Sequence, residues 1–542
     1  MTALRRRALL AFGAGGLLAG CARPDASAIE GGFTGIAHER GHRLREPWPT
    51  RAPDVTRRVH TLIAGGGIAG LAAARALRQR GHEDFALLEL EDTAGGNSRG
   101  THIKGIACPQ GAHYLPLPGD DARAVQELLE ELGLRRRVAG RWRYDEFTLC
   151  HSPQERLFID GHWQPGLLPL QGVDEGTLAQ YRRFADLVRQ ARQAAHYAIP
   201  VQKSTFAPVQ LAQDAITFDA WLNQHGLNDP ALRWYLDYGC RDDYGAGLAS
   251  VSAWAGLHYF ASRHGFQAPG EAADDEGEDA VLTWPQGNGW LAERLAAPLG
   301  DRLQAARVVG RIAPERHGVT VDALHEPSGR LERWQARQAV VALPVWLAAR
   351  VLDPAPAALR ARVQNLRTAP WLVANLRLRA PLQDRPGAAP SWDNVLYGAP
   401  GLGYVDAMHQ GLSPVPGPTV LTYYRALGDV PGGRAQLLRQ PWTHWRDAIL
   451  AELGAAHPDL IEKTERIDIV RYGHAMAVPV PGALAQVTRA RAAARAGGAR
   501  TEVAPLIFDD APRLAFAHAD WSGYSIFEEA FTLGGAAGAA LA

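Results

Sequence analysis

A glycine-rich turn between an apolar strand and an alanine-rich helix is the feature that most constrains this fold. Residues 59–64, VHTLIA, are apolar and β-rich, as a buried parallel strand requires. A G-x-G-x-x-G turn follows, and residues 71–80 then have the composition of a helix. A second predicted strand, Phe85–Leu88, ends at Glu89. This segment predicts the first βαβ unit of a dinucleotide-binding α/β domain.

The residues of the turn have distinct physical roles. Gly65 permits the tight turn, Gly67 lets the backbone approach a pyrophosphate, and Gly70 lets helix and strand pack closely. The phosphates would lie at the helix N-terminus, where the free N–H groups of the first turn (Gly67, Ile68, Ala69) and the helix dipole favour an anion. Glu89 can accept hydrogen bonds from both ribose hydroxyls, and its charge disfavours a 2′-phosphate. The sequence therefore predicts a nucleotide other than NADP.

Composition excludes several other classes of protein. Of 542 residues, 46% are hydrophobic, which is enough for a large core and argues against wholesale disorder. Basic and acidic residues balance at 57 each, so the basic excess of a nucleic-acid-binding protein is missing, and we expect no nucleic-acid partner. Four cysteines are too few for a disulfide scaffold, and we expect Cys108, Cys150 and Cys240 to be buried thiols.

The first residues predict an export signal. Residues 5–21 read RRRALLAFGAGGLLAGC, a basic start followed by an apolar run that is too short to span a bilayer. Arg6-Arg7 resembles a twin-arginine signal, and Leu18-Ala19-Gly20-Cys21 resembles a lipobox. We expect an exported, periplasmic protein that is lipid-anchored through Cys21 and touches the membrane only there. The alternative is an uncleaved N-terminal anchor.

Residues 22–54 lack periodicity and predict a tether. Within them, His38-Glu39-Arg40-Gly41-His42 spells the H-E-x-x-H pattern of zinc proteases, a chemistry that needs both histidines on one face of a stable helix. Gly41 interrupts the pattern and no apolar stripe supports a helix, so we expect no metal site.

A second glycine pair indicates which nucleotide is bound. Gly95-Gly96 follows Glu89 closely and is itself followed by Asn97, Ser98 and Arg99. This segment resembles the second pyrophosphate contact of the flavin amine oxidase superfamily, which includes monoamine and polyamine oxidases, phytoene desaturases and protoporphyrinogen oxidase. Most amine oxidases have arginine directly after the pair, whereas here Asn97 takes that place. Gly111-Ala112-His113-Tyr114 resembles the family's loop beside the flavin ring.

Later segments match the same family in the same order. Residues 284–299 resemble its turn and helix, residues 303–321 its hairpin that holds adenine with the backbone near Val308, and residues 339–344 its buried strand. Residues 514–521 form an apolar strand that ends in Asp520, the acid expected at the ribityl phosphate. Ser525, Ile526 and Phe527 begin a helix whose N–H groups the family points at the flavin pyrimidine.

The resemblance implies an α/β fold in which a Rossmann-type FAD-binding domain is interleaved with an α+β substrate domain. The predicted divisions are an export signal (1–21), a tether (22–54), three FAD-binding segments (55–118, 281–345, 504–542), a helical substrate region (119–280) and a substrate sheet region (346–503). The acidic run 271–279 is predicted to be a solvated insertion.

Flavin chemistry needs no protein nucleophile, so the catalytic candidates rest on position alone. Tyr472, His474 and His113 would face the ring, His474 as a base; packing roles are the alternative for all three. Residues 238–244, YGCRDDY, are interpreted as a helix-terminus ion pair, with a place in the substrate cleft as the alternative.

Two departures from the family bear on the chemistry. Residues 371–378, WLVANLRL, lack the lysine that many of its oxidases hold near the flavin, so the electron acceptor is either oxygen or another carrier. No cysteine follows Cys240, so a C-terminal thioether cannot form and we expect non-covalent FAD.

The sequence predicts an FAD-dependent oxidoreductase that oxidises the C–N bond of a small-molecule amine. The alternatives are a desaturase or porphyrinogen oxidase of the same fold that acts on an apolar substrate, and a flavin-bearing electron-transfer or binding protein.

Overall fold

The computed structural model describes residues 25–150, 154–270, 280–407, 409, 415–495 and 501–542. The predicted export signal, with Arg6, Arg7 and Cys21, and the acidic run 271–279 lie outside the described residues.

The described residues form strands that are numbered here in chain order: β1 Glu30–Thr34, β2 Val55–Ala64, β3 Phe85–Leu88, β4 Gly100–Ile103, β5 Ile106–Pro109, β6 Tyr114–Pro116, β7 Arg135–Val138, β8 Arg141–Tyr144, β9 Glu155–Ile159, β10 His162–Pro165, β11 Val281–Thr283, β12 Leu303–Gln304, β13 Arg307–Pro314, β14 Val319–His325, β15 Arg330–Val341, β16 Arg367–Leu378, β17 Asp393–Leu396, β18 Tyr404–Asp406, β19 Thr419–Ala426, β20 Thr464–Val478 and β21 Leu514–Phe516.

The α-helices are numbered in the same way: α1 His38–His42, α2 Ile68–Gln79, α3 Arg123–Glu131, α4 Glu175–Ala194, α5 Pro208–Asp214, α6 Phe218–Gln224, α7 Pro230–Tyr244, α8 Ala253–Ala261, α9 Gly289–Ala296, α10 Val345–Val351, α11 Ala357–Gln364, α12 Gly433–Arg439, α13 Trp442–Gly454, α14 Leu460–Lys463, α15 Ala483–Ala493 and α16 Phe527–Ala540.

The nucleotide-side sheet has the strand order β12-β3-β2-β15-β14-β13, with β21 also paired to β15. Strands β12, β3, β2, β15 and β21 run parallel, and the second half of β15 lies between β2 and β21. The carboxyl ends of these parallel strands therefore meet at one edge, the edge at which open α/β sheets bind ligands. This arrangement confirms the predicted α/β fold.

Helices α2 and α16 cover one face of this sheet in close contact. A Cβ atom at Gly534 would lie 2.1 Å from the carbonyl oxygen of Ala69, and one at Gly538 would lie 2.3 Å from that of Ala73. Only glycine permits so close a helix–helix approach, which explains the small-residue composition near the C-terminus.

The substrate-side sheet has the order β1-β20-β16-β19-β18-β17-β9-β10. Its long central strands β16, β19 and β20 pair antiparallel, and several residues of β16 and β20 are completely buried. A helical layer built by α4 to α8 packs around a core that includes Tyr181, Phe184 and Phe218.

Two segments of the chain contain secondary structure that the sequence did not predict. The segment 22–54 is not a free tether from Ile29 onward, because β1 pairs in parallel with β20 and Leu44 is buried in the core of the nucleotide-side sheet. The region 119–280 is not purely helical, because it also contributes β7 to β10, and β9 joins the substrate-side sheet. The apolar alternation of such short strands is easily lost among neighbouring helices.

The histidine motif forms a helix that the sequence did not predict. His38–His42 make up α1, with the two histidine rings 6.0 Å apart. Across the described residues, no group of three or more metal-binding side chains occurs. Within the same residues, no helix has the length and hydropathy to cross a bilayer.

Candidate active site

A cavity of about 390 Å³ follows the carboxyl edge of the nucleotide-side sheet and continues toward β16, β19 and β20. Its size is typical of a ligand site. Most of the predicted cofactor residues line it: Gly65, Gly67, Ile68, Ala69, Glu89, Gly95, Gly96, Asn97, Ser98, Gly111, Ala112, His113, Tyr114, Ser525, Ile526 and Phe527.

The first glycine-rich turn, residues 65–67, and the glycine pair Gly95-Gly96 face each other across one end of the cavity. Gly67 and Gly95 form a parallel bridge, and a Cβ at Gly96 would lie 3.2 Å from the Cα of Gly67. Gly67 precedes α2, so the N–H groups of that helix's first turn point toward this gap. The result is a backbone cradle that a phosphate can approach closely.

Glu89 lies beside this cradle, at the end of β3. Its Oε2 accepts a hydrogen bond of 2.8 Å from the backbone N–H of Gly66, and its Oε1 accepts one of 2.8 Å from that of Glu91. Burial raises the pKa of this carboxyl group, and the two backbone donors oppose that shift. Each oxygen keeps a second lone pair, so the carboxylate can also accept hydrogen bonds from a ribose.

Four predicted cofactor residues lie behind the cavity wall instead of on it. Gly70 packs under the turn, where a Cβ would lie 1.9 Å from the carbonyl oxygen of Gly65. Arg99 donates to the carbonyl oxygens of Gly35 and Gly96, so it fixes the N-terminal segment rather than a ligand.

The other two are Val308 and Asp520. Val308 is buried in the core, and its neighbours Arg307 and Val309 line the cavity in its place, as strand alternation requires. Asp520 accepts a hydrogen bond of 3.0 Å from the backbone N–H of Val345, while His518 and Ala519 line the cavity.

The predicted catalytic histidine of the flavin loop lies in an aromatic cluster. His113 stacks on Tyr424 with 4.3 Å between ring centroids and lies 5.4 Å from Trp392. Burial lowers the pKa of His113 to about 3. His113 is therefore neutral at pH 7 and belongs to an aromatic wall.

Tyr472 and His474 also line the cavity. The Tyr472 hydroxyl donates a hydrogen bond of 2.8 Å to the carbonyl oxygen of Gln110, and burial raises its pKa to about 12. His474 lies 2.9 Å (Nδ1) from the Thr368 hydroxyl, and burial together with the charge of Arg434 lowers its pKa to about 4. A base with so low a pKa is inefficient at neutral pH, so the geometry favours a wall role for both residues.

Acidic residues that the sequence did not predict as site residues line the substrate end. Asp242 and Asp243, near the end of α7, and Glu528, in the first turn of α16, all line the cavity. Burial raises the pKa of Asp242 to about 7 and that of Glu528 to about 7. Asp243 pairs with Arg263 at 3.1 Å. The ion-pair interpretation of residues 238–244 therefore holds for Asp243, but Asp242 belongs to the cleft.

The residues of this edge suit a flavin dinucleotide. The glycines form a cradle that any Cβ would narrow, and Glu89 presents a carboxylate beside it. The start of α16 reaches the same cavity through Phe527 and the two preceding residues, Ser525 and Ile526. Gly65 to Ala69 and Gly95 to Ser98 would hold the pyrophosphate, and Glu89 the ribose.

Comparison with known proteins agrees with this geometry. The family model described as flavin containing amine oxidoreductase matches residues 68–541. AofH of Mycobacterium tuberculosis, named as a flavin-containing monoamine oxidase, is 25% identical over 279 residues, which are 48% of this chain and 53% of AofH. Flavin-containing amine oxidase B of Cavia porcellus is 24% identical over 294 residues, which are 52% of this chain and 50% of that protein. The matched segment thus spans about half the length of these curated relatives.

Solved structures show the same fold. Putrescine oxidase bound to putrescine superposes with a TM-score of 0.63 at 19% identity, covering 89% of this chain and 99% of that one. Cyclohexylamine oxidase from Brevibacterium oxydans gives a TM-score of 0.62 at 19% identity, covering 89% and 98%. The chain belongs to the flavin containing amine oxidoreductase family.

Proposed function

We propose that this protein oxidises the C–N bond of a small-molecule amine that binds in its cationic form. FAD, when bound, supplies the hydride acceptor for such a reaction. The observation that carries the proposal is Asp242, a carboxyl group on the cavity wall without a cationic partner within 4 Å among the described residues, whereas the neighbouring Asp243 is paired with Arg263. An ammonium group is the ligand that balances such a charge.

The rest of the wall suits the carbon skeleton of an amine. Trp371, Val373, Tyr424 and Met476 line the cavity together with His113 and Tyr114. These side chains exclude water and hold apolar groups, and the low pKa of His113 keeps a competing positive charge out of the aromatic end. The relatives' names support the same substrate class, since two solved neighbours are a putrescine oxidase and a cyclohexylamine oxidase.

Anaerobic mixing with a substrate panel tests the proposal. Primary and secondary amines should bleach the visible flavin spectrum, whereas carotenoid and porphyrinogen precursors should leave it unchanged. Bleaching by an apolar precursor alone would favour the desaturase or porphyrinogen oxidase alternative. No bleaching by any compound would favour an electron-transfer or binding protein.

We further propose that FAD is held without a covalent bond and that oxygen is a poor electron acceptor. No cysteine follows Cys240, which is itself buried and free. No lysine occurs along β16, where Trp371 and Val373 line the cavity. Acid precipitation should release all the flavin into the supernatant, and the reduced protein should reoxidise faster with an artificial acceptor than with air.

Export and lipid anchoring are proposed from the N-terminal residues alone. Arg6-Arg7 precede the apolar run and Cys21 follows it. Replacing both arginines with lysine should leave the precursor in the cytoplasm, and Cys21→Ala should abolish palmitate labelling. Labelling that persists in Cys21→Ala would remove the lipoprotein proposal without touching the enzymatic one.

A further inference from the structure

A strongly basic β-hairpin projects from the FAD-binding side of the molecule. Strands β7 and β8 run from Arg135 to Tyr144 and contain five arginines and no acidic residue. The turn between the strands contains Ala139 and Gly140. None of the hairpin residues lines the cavity, so the proposed amine oxidation does not use them.

The strand register sorts the side chains onto two faces. Arg136 pairs with Arg143, and Val138 pairs with Arg141, so these four side chains share one face. All four residues are exposed. Three arginines and one valine therefore form a solvent-facing surface, called here the arginine face.

No acidic side chain among the described residues pairs with the arginines of the arginine face. Neither Arg136, Arg141 nor Arg143 has an acidic group within 4 Å among the described residues. Arg136 and Arg143 lie directly opposite each other, a pairing of like charges that destabilises a hairpin. An external anionic partner would offset that repulsion.

Exposed apolar side chains accompany these charges. Val138 is 47% exposed, Trp142 is 43% exposed, and Phe147, just beyond β8, is 74% exposed. The Arg135 guanidinium covers one side of the Trp142 ring at 3.8 Å. Trp142 belongs to the opposite face of the hairpin, so the arginine face combines its arginines with Val138 and the nearby Phe147. Arginine together with exposed valine and phenylalanine is a combination that binds at a lipid headgroup boundary.

The base of the hairpin is fixed to the body of the protein. Arg135 pairs with Glu130 of α3, and the backbone N–H of Asp145 donates a 2.9 Å hydrogen bond to the carbonyl oxygen of the buried Leu134. The hairpin therefore presents its arginine face in a defined orientation, as a docking surface requires.

We propose that the β7–β8 hairpin docks the protein on an anionic phospholipid surface, independently of any N-terminal anchor. The charges select anionic headgroups, and Val138 and Phe147 enter the boundary between headgroups and acyl chains. A nucleic acid is disfavoured as the occupant, because an aliphatic side chain at the turn gains nothing from phosphates and Arg135 occupies a face of the aromatic ring.

Vesicle co-sedimentation tests this proposal. The full chain carrying Cys21→Ala, loaded with FAD, is mixed with vesicles of phosphatidylcholine alone or with phosphatidylglycerol added. The variant with Arg136→Ser, Arg141→Ser and Arg143→Ser should lose at least tenfold in affinity for the anionic vesicles. Val138→Asp should also weaken binding, although it removes no arginine.

A matched control removes three exposed arginines elsewhere. Arg316, Arg360 and Arg489 have no acidic partner within 4 Å among the described residues, and their replacement with serine should leave vesicle binding unchanged. All variants should keep the parent flavin spectrum, because the substitutions lie outside the cavity.

Three results would overturn the proposal: equal binding of parent and hairpin variant, equal loss in the control variant, or binding of the hairpin to single-stranded nucleic acid but not to anionic vesicles.

Discussion

The carboxylate of Asp243 lies 3.1 Å from the guanidinium of Arg263 and also accepts a hydrogen bond from the Tyr524 hydroxyl. Its negative charge is therefore balanced inside the protein. The adjacent Asp242, on the same cavity wall, has no cation within 4 Å among the described residues, although the charge of Arg263 also acts on it. Two consecutive acids thus have different surroundings: Asp243 joins α7 to the C-terminal segment, and Asp242 faces the cavity.

Replacing Asp242 with asparagine should raise KM for a cationic amine. The variant keeps the side-chain size but loses the charge, and a hydrogen bond to a charged group contributes about 1.5–3 kcal/mol. KM should therefore rise roughly ten- to hundredfold, with a smaller change in kcat. The measurement is steady-state kinetics, with Asp186→Asn on the exposed surface of α4 as the control.

The pH dependence of this effect has a defined sign. Burial raises the pKa of Asp242 to about 7, so the group becomes ionised as the pH rises through about 7. KM of the parent protein should then fall between pH 6 and pH 8, and the Asp242→Asn variant should lose that trend. A variant that keeps the parent profile would assign the titration to another group.

The nucleotide half of the site was predictable because its determinants are local. Gly65, Gly67 and Glu89 lie on one strand–turn–helix–strand unit, where spacing alone determines which atoms meet. The second pair, Gly95-Gly96, follows directly and needs only a short loop to face the first.

The substrate half depends on contacts between distant segments. Asp242 joins the cavity only because α7 is folded against Tyr114 and Tyr524, which lie far away in sequence. The same cause explains β1, whose exposed residues Glu30–Thr34 have no strand-like alternation and are held by backbone pairing to β20. Neither relationship leaves a signal in a local window of residues.

Gly67 and Gly70 should respond differently to the same substitution. A Cβ at Gly67 meets only the Cα of Gly96, at 3.9 Å, so Gly67→Val should fold but fail to retain FAD. A Cβ at Gly70 would lie 1.9 Å from the carbonyl oxygen of Gly65, so Gly70→Val should lose its fold. Circular dichroism and flavin absorbance of the two purified variants distinguish these outcomes. A yellow Gly67→Val protein with full occupancy would place the phosphates elsewhere.

Glu89→Gln should weaken FAD binding tenfold or more. The amide replaces an acceptor with a donor, which opposes either the Gly66 or the Glu91 backbone N–H and removes the charge offered to the ribose. Glu91→Gln is the matched control, because Glu91 lies next to Arg99 and does not line the cavity. The dissociation constant of FAD is measured for both. Equal affinity in Glu89→Gln and the parent would remove Glu89 from the ribose site.

Asp520 should contribute to folding more than to FAD binding, and its contribution should depend on pH. Burial opposes its ionisation, but the charge of His518, hydrogen bonds from His518 and Val345, and the charge of Arg362 together hold its pKa below the ordinary value. A carboxyl group whose pKa is lower in the folded state stabilises the fold above its unfolded pKa of about 4, and that stabilisation is lost as the pH falls through the folded value.

Asp520→Ala also leaves the buried N–H of Val345 without its acceptor, so the free energy of unfolding at pH 7 should fall by about 1–3 kcal/mol. Urea unfolding of the parent and variant apoproteins should show this gap at pH 7 and a smaller one below pH 4, while Asp520→Asn, which keeps an acceptor for Val345, should recover part of it. Unchanged apoprotein stability combined with a large loss of FAD affinity in both variants would instead place the carboxylate on the cofactor.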